Sequence, residues 1–126
     1  MQKLLNNSCK IIKRNYTNNV KFKDTGIGLV GCHNNTIMRL QIKVDDNGKI
    51  IKTTSQTYGS SFAFLSLSCV TKYIKNKNIN SIDFNYKDII NNLKLSPENS
   101  EVQHCSLLAE KTLKVAINDY IKKNKK

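Results

Sequence analysis

The sequence predicts an α+β fold in which a three-stranded antiparallel sheet from the first half packs against helices from the second. Three observations carry this. Met38, Leu40, Ile42 and Val44 alternate with Arg39, Gln41 and Lys43, the period of two of a strand with one buried face. Asp45-Asp46-Asn47-Gly48 follows directly, and Asn-Gly is a strong hairpin signal because both residues tolerate positive φ. Farther on, Cys105, Leu108, Ala109, Leu113, Ala116, Ile117, Tyr120 and Ile121 recur at steps of three and four, the spacing of an amphipathic helix. Strands first and helices second is an α+β order.

Element by element, 27–31 is a plausible first strand, 36–44 the second, and 49–58, rich in Ile and Thr, the return strand. Residues 61–75 read as a helix with an apolar stripe of Phe62, Phe64, Leu65, Leu67, Cys69, Tyr73 and Ile74, and Ser60 or Ser61 suits its N-cap. On this reading Cys69 belongs to the core. A short helix over 88–95 ends near Pro97, which cannot continue one. The last helix covers 104–122.

A chain of 126 residues suits one domain and can bury a true core. No apolar run approaches the ~20 residues that span a bilayer. Twenty-one Lys and Arg against nine Asp and Glu give a net charge of +12, which favours anionic partners without choosing among RNA, acidic proteins and lipid headgroups. The four cysteines, at 9, 32, 69 and 105, form no C-x-x-C pair and point to free or metal-bound thiols in a reducing compartment. Residues 1–24 read as a basic arm or mitochondrial presequence, followed by one domain over 25–126. Lys3, Lys10, Lys13, Arg14, Lys21 and Lys23 precede the first acid. Arg14-Asn15-Tyr16 also resembles the Arg-x-Tyr pattern at which matrix processing cuts, so the expected location is the mitochondrial matrix side.

Gly26-Ile27-Gly28-Leu29-Val30-Gly31 matches G-x-G-x-x-G letter for letter. A dinucleotide loop needs a strand before it and a helix after it, whereas here a strand follows, so the glycines read as the start of a strand. No nucleophilic triad or carboxylate pair stands out, and no catalytic residue is expected. Adjacent His104 and Cys105 offer an imidazole and a thiolate, both good zinc or iron ligands. A helix beginning at 104 would place its dipole where it favours the thiolate. Cys32 and His33 are two further donors. Together the four would make a Cys₂His₂ set suited to structural zinc.

Thr25-Gly-Ile-Gly-Leu-Val-Gly31, Met38-Arg-Leu-Gln-Ile-Lys-Val-Asp45, Asn47-Gly-Lys-Ile50, Thr57-Tyr-Gly59 and His104-Cys-Ser-Leu-Leu-Ala-Glu110 together resemble the IscU/NifU-type iron–sulfur cluster assembly scaffold. The match runs in order over about 25–123. The resemblance implies an IscU-like fold, and a site of three cysteines, an aspartate and a histidine at one exposed end. Its first cysteine falls on Asn34, its aspartate on Thr36 and its second cysteine on Ser60. The histidine and third cysteine are His104 and Cys105. It also implies two partners, a cysteine desulfurase and an Hsp70-type chaperone. The chaperone reads a Leu-Pro-Pro-Val-Lys segment, replaced here by Leu95-Ser-Pro97-Glu98-Asn-Ser-Glu101-Val102.

Neutral, hard Asn, Thr and Ser are poor ligands for a sulfide cluster. The substitutions therefore lead to the expectation of a degenerate member without a cofactor. It would be a non-catalytic accessory subunit of a large mitochondrial assembly, either a respiratory-chain complex or the mitochondrial ribosome. Its basic arm and its tail, 121–126, would reach partners, and at the ribosome rRNA. The alternatives are a scaffold with residual iron or [2Fe-2S] binding, and a small zinc module on Cys32, His33, His104 and Cys105.

Overall fold

The alternating residues of the central segment form one wall of the core. The computed structural model describes residues 9–11, 24–32 and 35–124. In it, Met38, Leu40, Ile42 and Val44 lie along β3 (Ile37–Val44) with essentially no solvent exposure. β2 (Thr25–Cys32) and β4 (Ile50–Tyr58) flank it, antiparallel, completing the three-stranded sheet. A short β1 (Cys9–Ile11) adds to the outer edge of β2. The β3–β4 hairpin turns where the sequence indicates, but by a different device. Only Gly48 takes a positive φ, +85°. Asp45 Oδ1 accepts from the amides of Asn47 and Lys49, both at 2.9 Å, so an Asx-type arrangement does what two left-handed residues would otherwise do. β4 is an edge strand whose Lys52, Thr54 and Gln56 face solvent, a composition that discourages further strand addition.

Among the described residues there are three α-helices, the first and last packed on the sheet and the short middle one packed on those two. α1 (Ser61–Ile74) starts at Ser60, whose Oγ accepts from Ala63 N at 3.3 Å, as expected for its N-cap. The buried face differs from the expected stripe. Ala63, Ser66, Leu67, Val70 and Ile74 turn inward, while Phe64 and Leu65 are exposed and Cys69 is only half-buried. With a bulky residue at most positions of 62–74, composition alone does not fix the helix's rotation. Val70 and Ala63, spaced seven apart, do.

α2 (Tyr86–Leu93) carries a capping box between Asn85 and Asp88 and ends at Lys94 in the left-handed conformation. α3 (Ser100–Asn124) begins four residues before the expected helix. Asn99 caps it, its Oδ1 accepting from Glu101 N at 2.9 Å and Val102 N at 3.2 Å. Buried Glu110 accepts the amide of Tyr86 at 2.8 Å and so pins the start of α2 to α3. Among the described residues no helix is long and apolar enough to cross a membrane.

The glycine-rich segment is a strand, as read, and two of its glycines let α3 lie directly on the sheet. A Cβ on Gly28 would stand 2.3 Å from the Thr112 carbonyl oxygen and 2.8 Å from the Ala116 nitrogen, and one on Gly26 2.3 Å from the Ala116 carbonyl oxygen. On β2, outside the stretch paired with β1, the Ile27 amide donates to Asp119 Oδ2 at 2.8 Å, and Lys123 bridges Asp119 at 3.0 Å. Because backbone atoms cannot yield as side-chain tips do, Gly28→Ala should destabilise the fold by about 3 kcal/mol, the upper end of overpacking costs. A chemical-denaturation midpoint checks this, and an unchanged midpoint would refute the close approach.

Candidate functional site

Three of the positions singled out by the resemblance, Thr36, Ser60 and Cys105, lie at one end of the sheet, where the start of β3, the end of β4 and the first turns of α3 meet. A cleft of about 580 Å³ there is lined by Asn35, Thr36, Thr57, Tyr58, Gly59, Ser60, Glu101 and Cys105. Each wall has a local cause. Ser60 is held by its capping role at α1. Gly59, at φ +152°, lets the chain leave β4 against Thr36, whose side chain would lie 3.2 Å from any Cβ placed there. Glu101 and Cys105 are one helical turn apart on α3 and share a face. The substituted aspartate and second-cysteine positions, Thr36 and Ser60, thus stand together with Cys105. Asn34 lies outside the described residues.

Of the four donors read from the sequence, Cys105 is the one that lines the cleft among the described side chains. His104 precedes it on α3 and is buried but does not line the cleft. Cys32 is the last residue of β2, and His33 lies outside the described residues. Among the described residues no group of three or more His, Cys, Asp or Glu side chains could hold a metal ion. A described lining of one thiol, four hydroxyls and a carboxylate does not fill a [2Fe-2S] ligand shell, since hydroxyls are hard donors and iron–sulfur clusters are held chiefly by thiolates.

The electrostatics of Cys105 also differ from expectation. Because α3 starts at Ser100, Cys105 sits beyond the first turn, where the helix dipole has little effect. Burial pushes its thiol above the ordinary value, Glu101 adds to the rise, and Ser60 Oγ, 3.8 Å from Sγ, works against both. Sequence reasoning missed Glu101 as a cleft residue. The signal was there in Asn99-Ser-Glu101, an N-cap residue with a first-turn acid, but the segment read as a loop.

A raised thiol pKa means that the folded chain holds the proton to a higher pH than the unfolded chain. The stability this contributes is complete below the ordinary thiol range and is lost as pH rises through the folded-state value. Ser60→Ala removes the hydroxyl that favours the thiolate. The midpoint of the pH profile for Cys105 alkylation, read by mass spectrometry, should therefore move upward, and a downward move would refute the role given to Ser60. The same change should cost about 1 kcal/mol through the lost cap.

The profile described as NifU-like N terminal domain matches residues 13–126. "Iron-sulfur cluster assembly enzyme IscU" of Drosophila melanogaster is 41% identical over 104 residues, covering 80% of this chain and 66% of that protein, just under two thirds. "Iron sulfur cluster assembly protein 1" of Trachipleistophora hominis is 44% identical over 104 residues, 80% of this chain and 72% of the relative. "Iron-sulfur cluster assembly scaffold protein IscU" of Buchnera aphidicola subsp. Baizongia pistaciae is 42% identical over 104 residues, 81% of this chain and 80% of the relative.

These names correct the leading expectation from the sequence. The relatives are cluster assembly proteins, and nothing about them points to an accessory subunit of a respiratory-chain complex or the mitochondrial ribosome, or to rRNA or large-complex subunits as partners. The inference failed because substitutions at Asn34, Thr36 and Ser60 report only how many donors those positions supply. They do not report what the rest of the domain does. The chain belongs to the NifU-like N-terminal domain family of iron–sulfur cluster assembly proteins.

Proposed function

We propose that this chain is a scaffold on which iron and sulfide are assembled into a cluster that is then passed on. The observation that carries the reading is Cys105, the soft donor among the described residues of the cleft, standing at the sheet end beside Thr36 and Ser60. The family and the names of the relatives support it. The cluster is cargo, and the chain itself turns nothing over.

The roles of the residues follow from their chemistry. Cys105 binds iron as thiolate. Because burial holds its proton, iron entry must displace that proton, so loading should strengthen with pH. Ser60 donates to the sulfur once it is anionic, as charge-assisted hydrogen bonds do. Glu101, on the same wall, attracts ferrous iron without competing well for a sulfide-bridged centre. A cleft with one thiolate holds cargo loosely, and further soft donors must come from outside its described lining. Sulfide must be delivered by another protein, and the family resemblance implies a cysteine desulfurase. The acid-free basic stretch ahead of Asp24 supports a mitochondrial setting.

Anaerobic incubation of the purified chain with ferrous iron and sulfide should generate visible iron–sulfide absorbance that Cys105→Ala removes. A wild-type chain that stays colourless would overturn the scaffold reading.

A further inference from the structure

α1 is apolar on two faces, and the core takes only one of them. Ala63, Leu67, Val70 and Ile74 turn inward, while Phe64 is 60% exposed and Leu65 40%. A helix that carries large apolar residues all round calls for a cover on its outer side as well. That outer face runs into a groove of about 370 Å³ between α1 and α2, whose lining includes Leu65, Cys69, Lys72, Tyr73, Phe84 and Leu93. Phe84 is buried and its ring stacks on that of Tyr73, centroids 4.1 Å apart, so the pair forms the base of the groove.

Shape and charge together select the occupant. The walls are helices, whose backbone groups bond internally, so an extended peptide finds no strand edge to pair with. A helix brings its own backbone hydrogen bonds and needs only side-chain anchors, at i, i+4 and i+7. Three such anchors span about 10.5 Å, and the α1 face from Phe64 to Lys72 is about 12 Å long. Cations surround the apolar base. Lys72 lines the groove, the Lys77 ammonium sits 5.3 Å from the centre of the Tyr73 ring, and exposed Lys94 follows Leu93 at the end of α2. Residues 62–94 hold five lysines against two aspartates, Asp83 and Asp88. Asp88 lies close enough to act on Cys69, but its carboxylate is held in the capping box at Asn85. The rim therefore suits an occupant with acidic flanks. A membrane surface is flat and would not reach the base of a concave groove.

We propose that the α1–α2 groove receives an amphipathic helix from an acidic partner protein. The apolar stripe of that helix enters beside Leu65 and Leu93, over the Tyr73–Phe84 pair, and its flanking carboxylates meet Lys72, Lys77 and Lys94. The groove shares no described lining residue with the cleft at the sheet end, and the proposal holds whether or not the chain carries a cluster. Phe64 lies one helical turn from Ser60, so a partner seated on α1 stands next to the cleft.

The probe is a fluorescein-labelled peptide of about 16 residues, long enough to hold a helix, with Leu at i, i+4, i+7 and i+11 and Glu along both flanks. Added to the full chain, it should bind saturably by fluorescence anisotropy. Affinity should fall about tenfold in Leu65→Glu, and again in a variant carrying both Lys72→Glu and Lys94→Glu. All three side chains are exposed, so these changes leave the fold standing. Ile121→Glu, the same kind of change at an exposed site on α3, should leave affinity unchanged. A second measurement needs no variant: the peptide should slow alkylation of Cys69, which lines the groove. No saturable binding, or equal affinity in the unaltered chain and Leu65→Glu, would overturn the proposal. Equal affinity for a peptide with Gln in place of every Glu would refute an acidic partner. Protection of Cys69 by phosphatidylglycerol vesicles and not by the peptide would assign the groove to a membrane and overturn the proposal.

Discussion

The direct contact of α3 with β2 organises this molecule. Gly26 and Gly28 remove the side chains that would hold the helix away, and the carbonyls of Thr112 and Ala116 occupy the vacated space. Close-packed interiors transmit such a constraint along their length. Once the helix axis is fixed against the strand, the level of every residue toward its N-terminus follows from the helical rise. Cys105 arrives at the sheet end for this reason. Asp119 and Lys123 secure the opposite end of the helix to β2.

Around that contact the rest of the fold is conventional packing. β3 supplies one buried row, α1 and α3 supply the facing rows, and Glu110 ties α2 to α3 through a single buried carboxylate. Lys114 completes Glu110's charge pair from a largely exposed position, so it adds little to stability. The Tyr86 amide matters more, because a buried N–H without a partner costs about 1–3 kcal/mol.

Much of this was legible in the sequence. The alternation from Met38 to Val44, the turn at Gly48, the cap at Ser60 and the periodicity of the last helix each have a local cause, and each of these features is present in the structure. The blocks around Thr57-Tyr-Gly59 and His104-Cys105 identified the family. What sequence could not show were effects of level and rotation. The inward face of α1 depends on what covers it. The onset of α3 at Ser100 depends on a single Asn99 cap. The clash-free fit of Gly28 beneath Thr112 joins residues far apart in the chain. The functional expectation failed at a different step, where lost donors at three positions were taken as lost purpose.

The position of Cys105 beyond the first turn of its helix has a consequence for the chain at rest. Sulfur is attacked by peroxide and by disulfides as the anion. On the proposed scaffold reading, a buried Cys105 whose surroundings favour the neutral thiol is chemically quiet between rounds of loading, until iron displaces its proton. On that reading its buried seat acts as a safety catch, sparing the protein from oxidation during the time it stands empty.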